Sequence, residues 1–426
     1  MKKFAIISLA ALLVVAFTMP AAAFESIFGG YWRTRAYTEQ NYFGSKDADG
    51  DEGNLSQVDT RTRLYYTAKF SDNFKFVNKF EMDAVWGDQD QTGYGDIGAD
   101  GIKVEVKNTY ADFDMGPVNA KIGVQGFILA RGFLADDDFA GAHVAYSNDL
   151  MTLPVFWFKA YEGGTDNNTA DTDIFGIAPS FSFGDSSKLT AYGVYWMSDN
   201  LEDYQRRGGT NLPPVATAGA LDDADVYFVG ADLDMNFDAF SLWLTGIYEW
   251  GTIDFQGGGD TDISAYLVGA GAAMNLGPAE LHTRAFYASG DDDPDDDDID
   301  AFIVIEGQSY YWSEIMGFGI FDNVASAGSP ADQISNVWAV NLGATFKPMD
   351  KLSVTGDIWY ANLAEEDVND EDELGTEFNL KLTYKLMENL NLDVVGAYLL
   401  AGDATSLDGK NDDDPYLVGS RLSLSF

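Results

Sequence analysis

The sequence predicts an all-β fold: a transmembrane antiparallel up-and-down β-barrel of about eighteen strands, with sixteen as the alternative. Three observations predict it. The final stretch, Pro415 to Phe426, alternates Tyr416, Val418, Ser420, Leu422, Leu424 and Phe426 against Leu417, Gly419, Arg421, Ser423 and Ser425, the period-two pattern of a strand wet on one face only. Short tight turns alternate with longer acidic loops along the chain. Mean hydropathy is slightly negative although 46% of residues are hydrophobic, as expected where lipid-facing and water-facing residues alternate.

The elements follow in order. Met1-Lys2-Lys3, the apolar run Phe4 to Phe17 and Ala21-Ala22-Ala23 read as a secretory signal peptide over 1–23, leaving a single barrel domain over 24–426. Short reversals are expected at Ser71-Asp72-Asn73, Met115-Gly116-Pro117, Asn148-Asp149-Leu150, 184–187, 236–238, Gly277-Pro278, Pro348-Met349-Asp350 and Met387-Glu388-Asn389, where Gly, Pro, Asn and Asp supply the turn chemistry. Longer loops are expected at 38–57, 87–100, 130–138, 162–172, 198–224, 252–261, 290–333, 363–374 and 402–414. Eight turns and nine loops imply an even strand count with both termini on the short-turn, periplasmic side and the acidic loops outside.

Faces can be assigned from the same period. Val58, Leu64, Tyr66, Ala68 and Phe70 oppose Asp59, Arg61, Arg63, Tyr65 and Lys69; Phe74, Phe76, Phe80, Met82 and Trp86 oppose Lys75, Lys79, Glu81 and Asp83. Ile102, Val104, Val106 and Tyr110 oppose Lys103, Glu105, Lys107 and Thr109, and Phe378, Leu380, Leu382 and Tyr384 oppose Glu377, Asn379, Lys381, Thr383 and Lys385. A midplane Lys or Arg facing lipid costs roughly 2–4 kcal/mol, so the charged face must line a wet lumen. Residues 153–160 and 225–237 are apolar on both faces in places and do not fix their own register. Segment 301–321, inside the longest loop, is too apolar to lie free in water. It is expected to fold into the lumen as a constriction or plug, to pack on the rim, or to form an extra hairpin.

Composition removes whole classes of function. There is no cysteine, hence no disulfide, thiolate metal site or iron–sulfur cluster. The formal charge of −44 becomes −46 without Lys2 and Lys3, which excludes a nucleic-acid partner. Asp47-x-Asp49-x-Asp51 starts like an EF-hand loop, but Glu52 stands where its Gly belongs and Val58 where its bidentate Glu belongs. No cofactor is expected beyond loosely gathered Ca²⁺ or Mg²⁺, for which the carboxylates are Asp291, Asp292, Asp293, Asp295 and Asp296; the plainer reading is a solvated loop tip. Catalysis is not expected: His143 has no obvious partner, and His282 shares a face with Glu280 and Arg284 without a marked nucleophile.

The candidate pore wall is an asymmetry of charge. Of 23 basic residues after the signal peptide, 12 fall between Arg33 and Arg131. Arg33, Arg35, Arg61, Arg63, Lys75, Lys79, Lys103, Lys107 and Lys121 lie on inward faces of consecutive strands and predict a basic strip, with Glu81, Asp83 and Glu105 among its carboxylate neighbours. Set against acidic loops, such a strip creates a transverse field that orients solutes and biases ion choice. The plainer reading pairs the strip with Asp59, Glu81, Asp83 and Glu105.

Gly123-Val124-Gln125-Gly126-Phe127 through Phe133-Leu134-Ala135-Asp136-Asp137-Asp138-Phe139-Ala140-Gly141-Ala142 resembles a strand–loop–strand of porin-like proteins of the alginate-export type, a "grq-gf" strand followed by a "dddf-G" loop and strand. The terminal Phe426 likewise resembles the ending by which bacterial outer-membrane barrels are recognised for insertion. The resemblance implies an outer-membrane barrel with a narrow polar lumen; general porins are equally similar in architecture. Export members line their pore heavily with arginine for an acidic polysaccharide, whereas here the basic residues gather on one side.

The expected function is therefore passive diffusion of small hydrophilic solutes and ions through a charged lumen in the bacterial outer membrane. The alternatives are a channel specific for an anionic oligosaccharide or organic acid, and a structural or adhesive surface barrel without open conductance. A barrel hydrolase would require turnover dependent on His282. Expected partners are outer-membrane lipid and lipopolysaccharide, the barrel assembly machinery and the solutes themselves, with a homotrimer as the self-association to look for.

Overall fold

The computed structural model describes residues 24–47, 49–87, 104–163, 171–184, 186–201, 221–293, 296, 298–305, 309–411 and 413–426. Eighteen antiparallel strands form one sheet closed on itself. They are β1 (Glu25–Gln40), β2 (Leu55–Ser71), β3 (Phe74–Val85), β4 (Glu105–Asp114), β5 (Val118–Leu129), β6 (Ala135–Ser147) and β7 (Met151–Tyr161). β8 follows in two pieces, Thr172–Ile177 and Ser180–Phe183, then β9 (Ser187–Ser198), β10 (Leu221–Asn236), β11 (Phe240–Phe255) and β12 (Asp260–Leu276). The chain ends with β13 (Ala279–Ala288), β14 (Val337–Met349), β15 (Leu352–Leu363), β16 (Glu373–Met387), β17 (Leu390–Ala401) and β18 (Tyr416–Ser425). Pro179, which has no N–H to give a ladder, sits at the break in β8.

Each strand pairs with its sequence neighbours, and β18 pairs with β1 from Gln40↔Tyr416 to Tyr31↔Ser425. The Gly30 N–H donates to the Phe426 carbonyl at 2.8 Å and the Phe426 N–H returns to the Gly30 carbonyl at 3.1 Å, completing the seam. Closure leaves no unpaired edge in lipid, where each orphan N–H or C=O costs several kcal/mol.

Alternation sets the two faces. Phe378, Leu380, Leu382 and Tyr384 of β16 are exposed outward while Glu377 is fully buried inward. Stacked rings mark both ends of the outer face. Phe24, Phe70, Phe74 and Phe113 follow one another at 4.9–5.4 Å beside the short turns. Phe175, Tyr195, Tyr227, Trp250 and Tyr248 follow one another at 4.7–6.3 Å towards the long loops. Two aromatic girdles bounding an apolar band are what a bilayer's two interfaces select.

The expected strand count, turn positions and faces agree with this architecture, with two corrections. The connections expected at 130–138 and 252–261 are shorter, because β6 begins at Ala135, β11 runs to Phe255 and β12 begins at Asp260. The face assigned over 102–110 reverses partway. Asn108 stands opposite Lys79 but Val106 opposite Phe80, so one extra residue is accommodated at Lys107. This bulge turns Tyr110 inward, where the Lys121 ammonium lies 5.8 Å from its ring centre, and buries Asn108. The apolar core lies inside the barrel towards the long-loop end, where wall residues such as Phe228, Leu267 and Phe286 pack with the segment between β13 and β14.

Candidate functional site: the charged inner wall and its loop

Register builds the wall. Across β1, β2 and β3 it sets Arg35 opposite Asp59, Arg61 opposite Asp83, and Arg63 opposite Glu81, so each guanidinium meets a carboxylate directly across the sheet. Arg35 donates from Nε and Nη2 to Asp59 at 2.9 and 2.7 Å. Arg61 grips Asp83 in the same forked way at 2.7 and 2.6 Å and lies 3.4 Å from Glu81, which also pairs with Arg63. Such bidentate contacts fix direction as well as charge. Further round, Lys75 meets Asp112 at 3.1 Å and Lys107 meets Asp138 at 3.0 Å. Lys79 lies over the Tyr65 ring at 5.4 Å. Glu105 stands opposite Glu81 in register, and Lys103 lies outside the described residues. Of the sequence-predicted set, Arg33, Arg35, Arg61, Arg63, Lys75, Lys107, Glu81 and Asp83 are joined in ion pairs, while Lys79 and Lys121 lie against tyrosine rings and Glu105 has only its register partner.

The described parts of segment 301–321, residues 301–305 and 309–321, are seated against the inner face of the barrel. Glu377 of β16, fully buried, accepts the backbone N–H groups of Glu314, Ile315 and Met316 at 2.7, 3.0 and 2.9 Å. Glu249 of β11 accepts the Ile303 N–H at 2.6 Å. Tyr310 stacks on Phe133 at 3.7 Å, and Trp312 meets Phe286 and Trp359 edge-on at 5.4 and 5.3 Å. Phe321 stacks on Tyr37 of β1 at 4.8 Å. Next to it, Asp322 reaches Arg33 at 3.1 Å, pairs with Arg35, and lies 3.8 Å from Arg61. The segment therefore touches β1, β11, β13, β15 and β16, and Asp322 just beyond it adds β2. Burial among these walls pushes the Glu314 carboxyl up from its ordinary range.

Between the segment and β11–β16 lies a cavity of about 520 Å³, lined among others by Trp243, His282, Arg284, Tyr311, Trp359 and Lys381. His282 Nε2 and Asp357 Oδ1 share a hydrogen bond of 2.8 Å, and Asn341 donates to the same oxygen at 2.9 Å. His143 lines a different space, of about 400 Å³, beside Phe127 and Lys121. Outside, Asp291 and Asp292 border a cleft with Glu365, Glu366, Asp367 and Asp372. Asp293 and Asp296 are held in local turns, and Asp295 lies outside the described residues. Among the described residues, no three His, Asp or Glu side chains converge as a metal site.

The functional residues missed in the sequence are Asp322 and the anchor Glu249. Glu377 was assigned an inward face but no role. The available signal for Asp322 was one acid closing the apolar run Gly319-Ile320-Phe321, which gave no hint of its arginine partners, Arg33 among them 289 residues away. The Gly141 of the "dddf-G" stretch has a steric reason: a Cβ there would stand 2.0 Å from the Trp157 carbonyl oxygen. Gly141→Ala is accordingly expected to reduce the yield of folded, heat-modifiable barrel at least severalfold, read by gel mobility with and without boiling. Wild-type yield would contradict that reading.

Comparison with known proteins places the chain. The alginate export family model matches residues 24–416. The barrel superposes on OccK9 (OpdG) of Pseudomonas aeruginosa with a TM-score of 0.61 at 11% identity, covering 94% of this chain and 99% of that one. OpdK of the same organism gives 0.58 at 10% identity over 94% and 98%, and has also been solved with vanillate. A BenF-like porin from Pseudomonas fluorescens Pf-5 gives 0.57 at 11% identity over 94% and 99%. No curated protein matches the chain.

Proposed function

The chain belongs to the alginate export family, a family of outer-membrane porins, and from that premise we propose that it passes small hydrophilic solutes and ions passively down their gradients. The observation that carries this reading is the wall itself: arginines and carboxylates of β1–β3 line the lumen, and the apolar segment between β13 and β14 reaches across towards them. The segment narrows the passage, and the wall selects by the field it presents at that narrowing. The acidic outer loops enrich cations at the mouth, and the guanidinium groups oppose them within.

Changing Arg61 and Arg63 together to Ser tests it. The substitution removes two positive charges and leaves the carboxylates of Asp83 and Glu81 unneutralised, so the lumen becomes more negative by two. The cation-to-anion permeability ratio, read from the reversal potential under a salt gradient, is expected to rise roughly threefold. An unchanged potential in a normally folded barrel would contradict the assignment of this wall to the conduction path.

A second reading is favoured by the cavity under the segment. Its tryptophans and tyrosine beside Arg284 and Lys381 suit an aromatic or hydroxylated organic acid, and OpdK, which shares the fold, has been solved with vanillate. That reading predicts block of the current by sub-millimolar vanillate; general diffusion predicts none.

A further inference from the structure

We propose that Arg33, Arg35 and Arg61 form an anion site in the pore wall that the channel's own Asp322 occupies at rest, so that an entering carboxylate competes with a tethered one. The inference rests on the channel reading above and adds a specific occupant and a means of control.

Four features carry it. Arg33 depends on Asp322. Its side chain is only 8% exposed, its Nε has no hydrogen-bond partner, and its one carboxylate contact among the described residues is Asp322, at 3.1 and 3.3 Å. Arg35 and Arg61 are already committed elsewhere, gripped by Asp59 and Asp83 through Nε and Nη2, and each offers its remaining Nη1 to Asp322. Three guanidinium groups thus converge on one carboxylate with no acceptor of the wall itself in its place. This is a geometry for binding an anion.

The occupant, moreover, sits on backbone that does not favour it. Asp322 has φ +38° and Phe318 has φ +69°, both in the left-handed region that non-glycine residues rarely adopt. The charge contacts hold the tip in that form together with the Asp322 N–H, which donates to the Phe318 carbonyl at 2.9 Å. The anchors of the segment are separate: Glu377 holds residues 314–316, and Phe321 is buried against Tyr37. Only the stretch from Asp322 to the exposed Val324 has to move for the carboxylate to leave; the Phe321 carbonyl, which also accepts from Arg35 Nη1, stays with the rest of the seated segment. Asn323 adds one hydrogen bond, to Glu39 at 3.2 Å, which steers the tip back.

A tethered carboxylate competes at an effective concentration in the millimolar range or above. Removing it therefore exposes the site to free anions, while an external carboxylate at comparable concentration displaces it.

The test uses the full-length barrel with succinate as probe. Asp322→Asn preserves shape and removes the charge; Asp322→Gly also removes the charge and in addition relieves the positive φ. Both are expected to raise chloride permeability relative to potassium, and to tighten succinate binding at least tenfold. Binding is measured by calorimetry on the folded protein in detergent, and separately as the concentration that half-blocks the current. Arg33→Gln in the Asp322→Asn background is expected to abolish that gain. Succinate binding and reversal potential identical in wild type and both Asp322 variants would overturn the proposal. Calorimetry does not depend on conduction, so a barrel that binds succinate tightly only without Asp322 yet passes no current would sustain this inference and defeat the channel reading. Conduction with no Asp322 effect would do the reverse.

Discussion

Glu377→Ala is expected to unseat the lumen segment and raise single-channel conductance severalfold. The side chain is fully buried and its two oxygens accept three consecutive backbone N–H groups. Truncation leaves three buried donors without acceptors, each costing about 1–3 kcal/mol. Asn379, beside Glu377 on the same inward face with its Oδ1 unpartnered, can take at most part of this load, so the anchor is weakened. Current recordings should show larger and noisier openings, with the barrel still heat-modifiable because the strand ladders are untouched. Glu377→Gln retains one acceptor oxygen and should fall between. Wild-type conductance and noise in the Ala variant would mean the segment is held by its other contacts, at Glu249, at Asp322 and through its rings, without need of Glu377.

The second large effect is expected at the seam. In Gly30→Val, the new Cβ would stand 2.5 Å from the Phe426 ring and 2.6 Å from the Arg63 carbonyl oxygen, one flanking strand on each side. Both contacts cannot be relieved together, because the Arg63 oxygen is backbone held in the β1–β2 ladder. An open seam would leave N–H and C=O groups facing hydrocarbon at several kcal/mol each. The fraction of protein refolding to the heat-modifiable form should fall roughly tenfold. Adding Phe426→Ala should restore part of it, since the ring conflict disappears while the Arg63 conflict stays. Full folding of Gly30→Val alone would show that the seam can shift register.

Much of this architecture can be read from residues because a barrel strand declares both of its faces. Lys75, Lys79 and Glu81 cannot face lipid, so their positions fix the phase of β3 and, through pairing, of its neighbours. Turn residues then count the strands. The bulge at Lys107 was illegible: an extra residue leaves no mark in an alternating stretch, and Tyr110 reads as lipid-facing until the partner strand is known. The same limit governs the wall. That Arg33 and Arg35 point inward follows from period two, and Asp59 stands across from Arg35 as its local counter-charge; the counter-charge of Arg33 comes from Asp322, almost three hundred residues along, through a loop whose course no local pattern dictates. Glu377 shows the boundary most clearly. Its inward direction is local information; its three N–H partners are a property of where the loop lands.

Single-channel current through the purified barrel in a planar bilayer shows whether a seated loop narrows a charged pore. A stable open conductance that grows when Glu377 is truncated is the result expected. Correctly folded, heat-modifiable protein that passes no current, with or without Glu377, would contradict it and leave a structural barrel in its place.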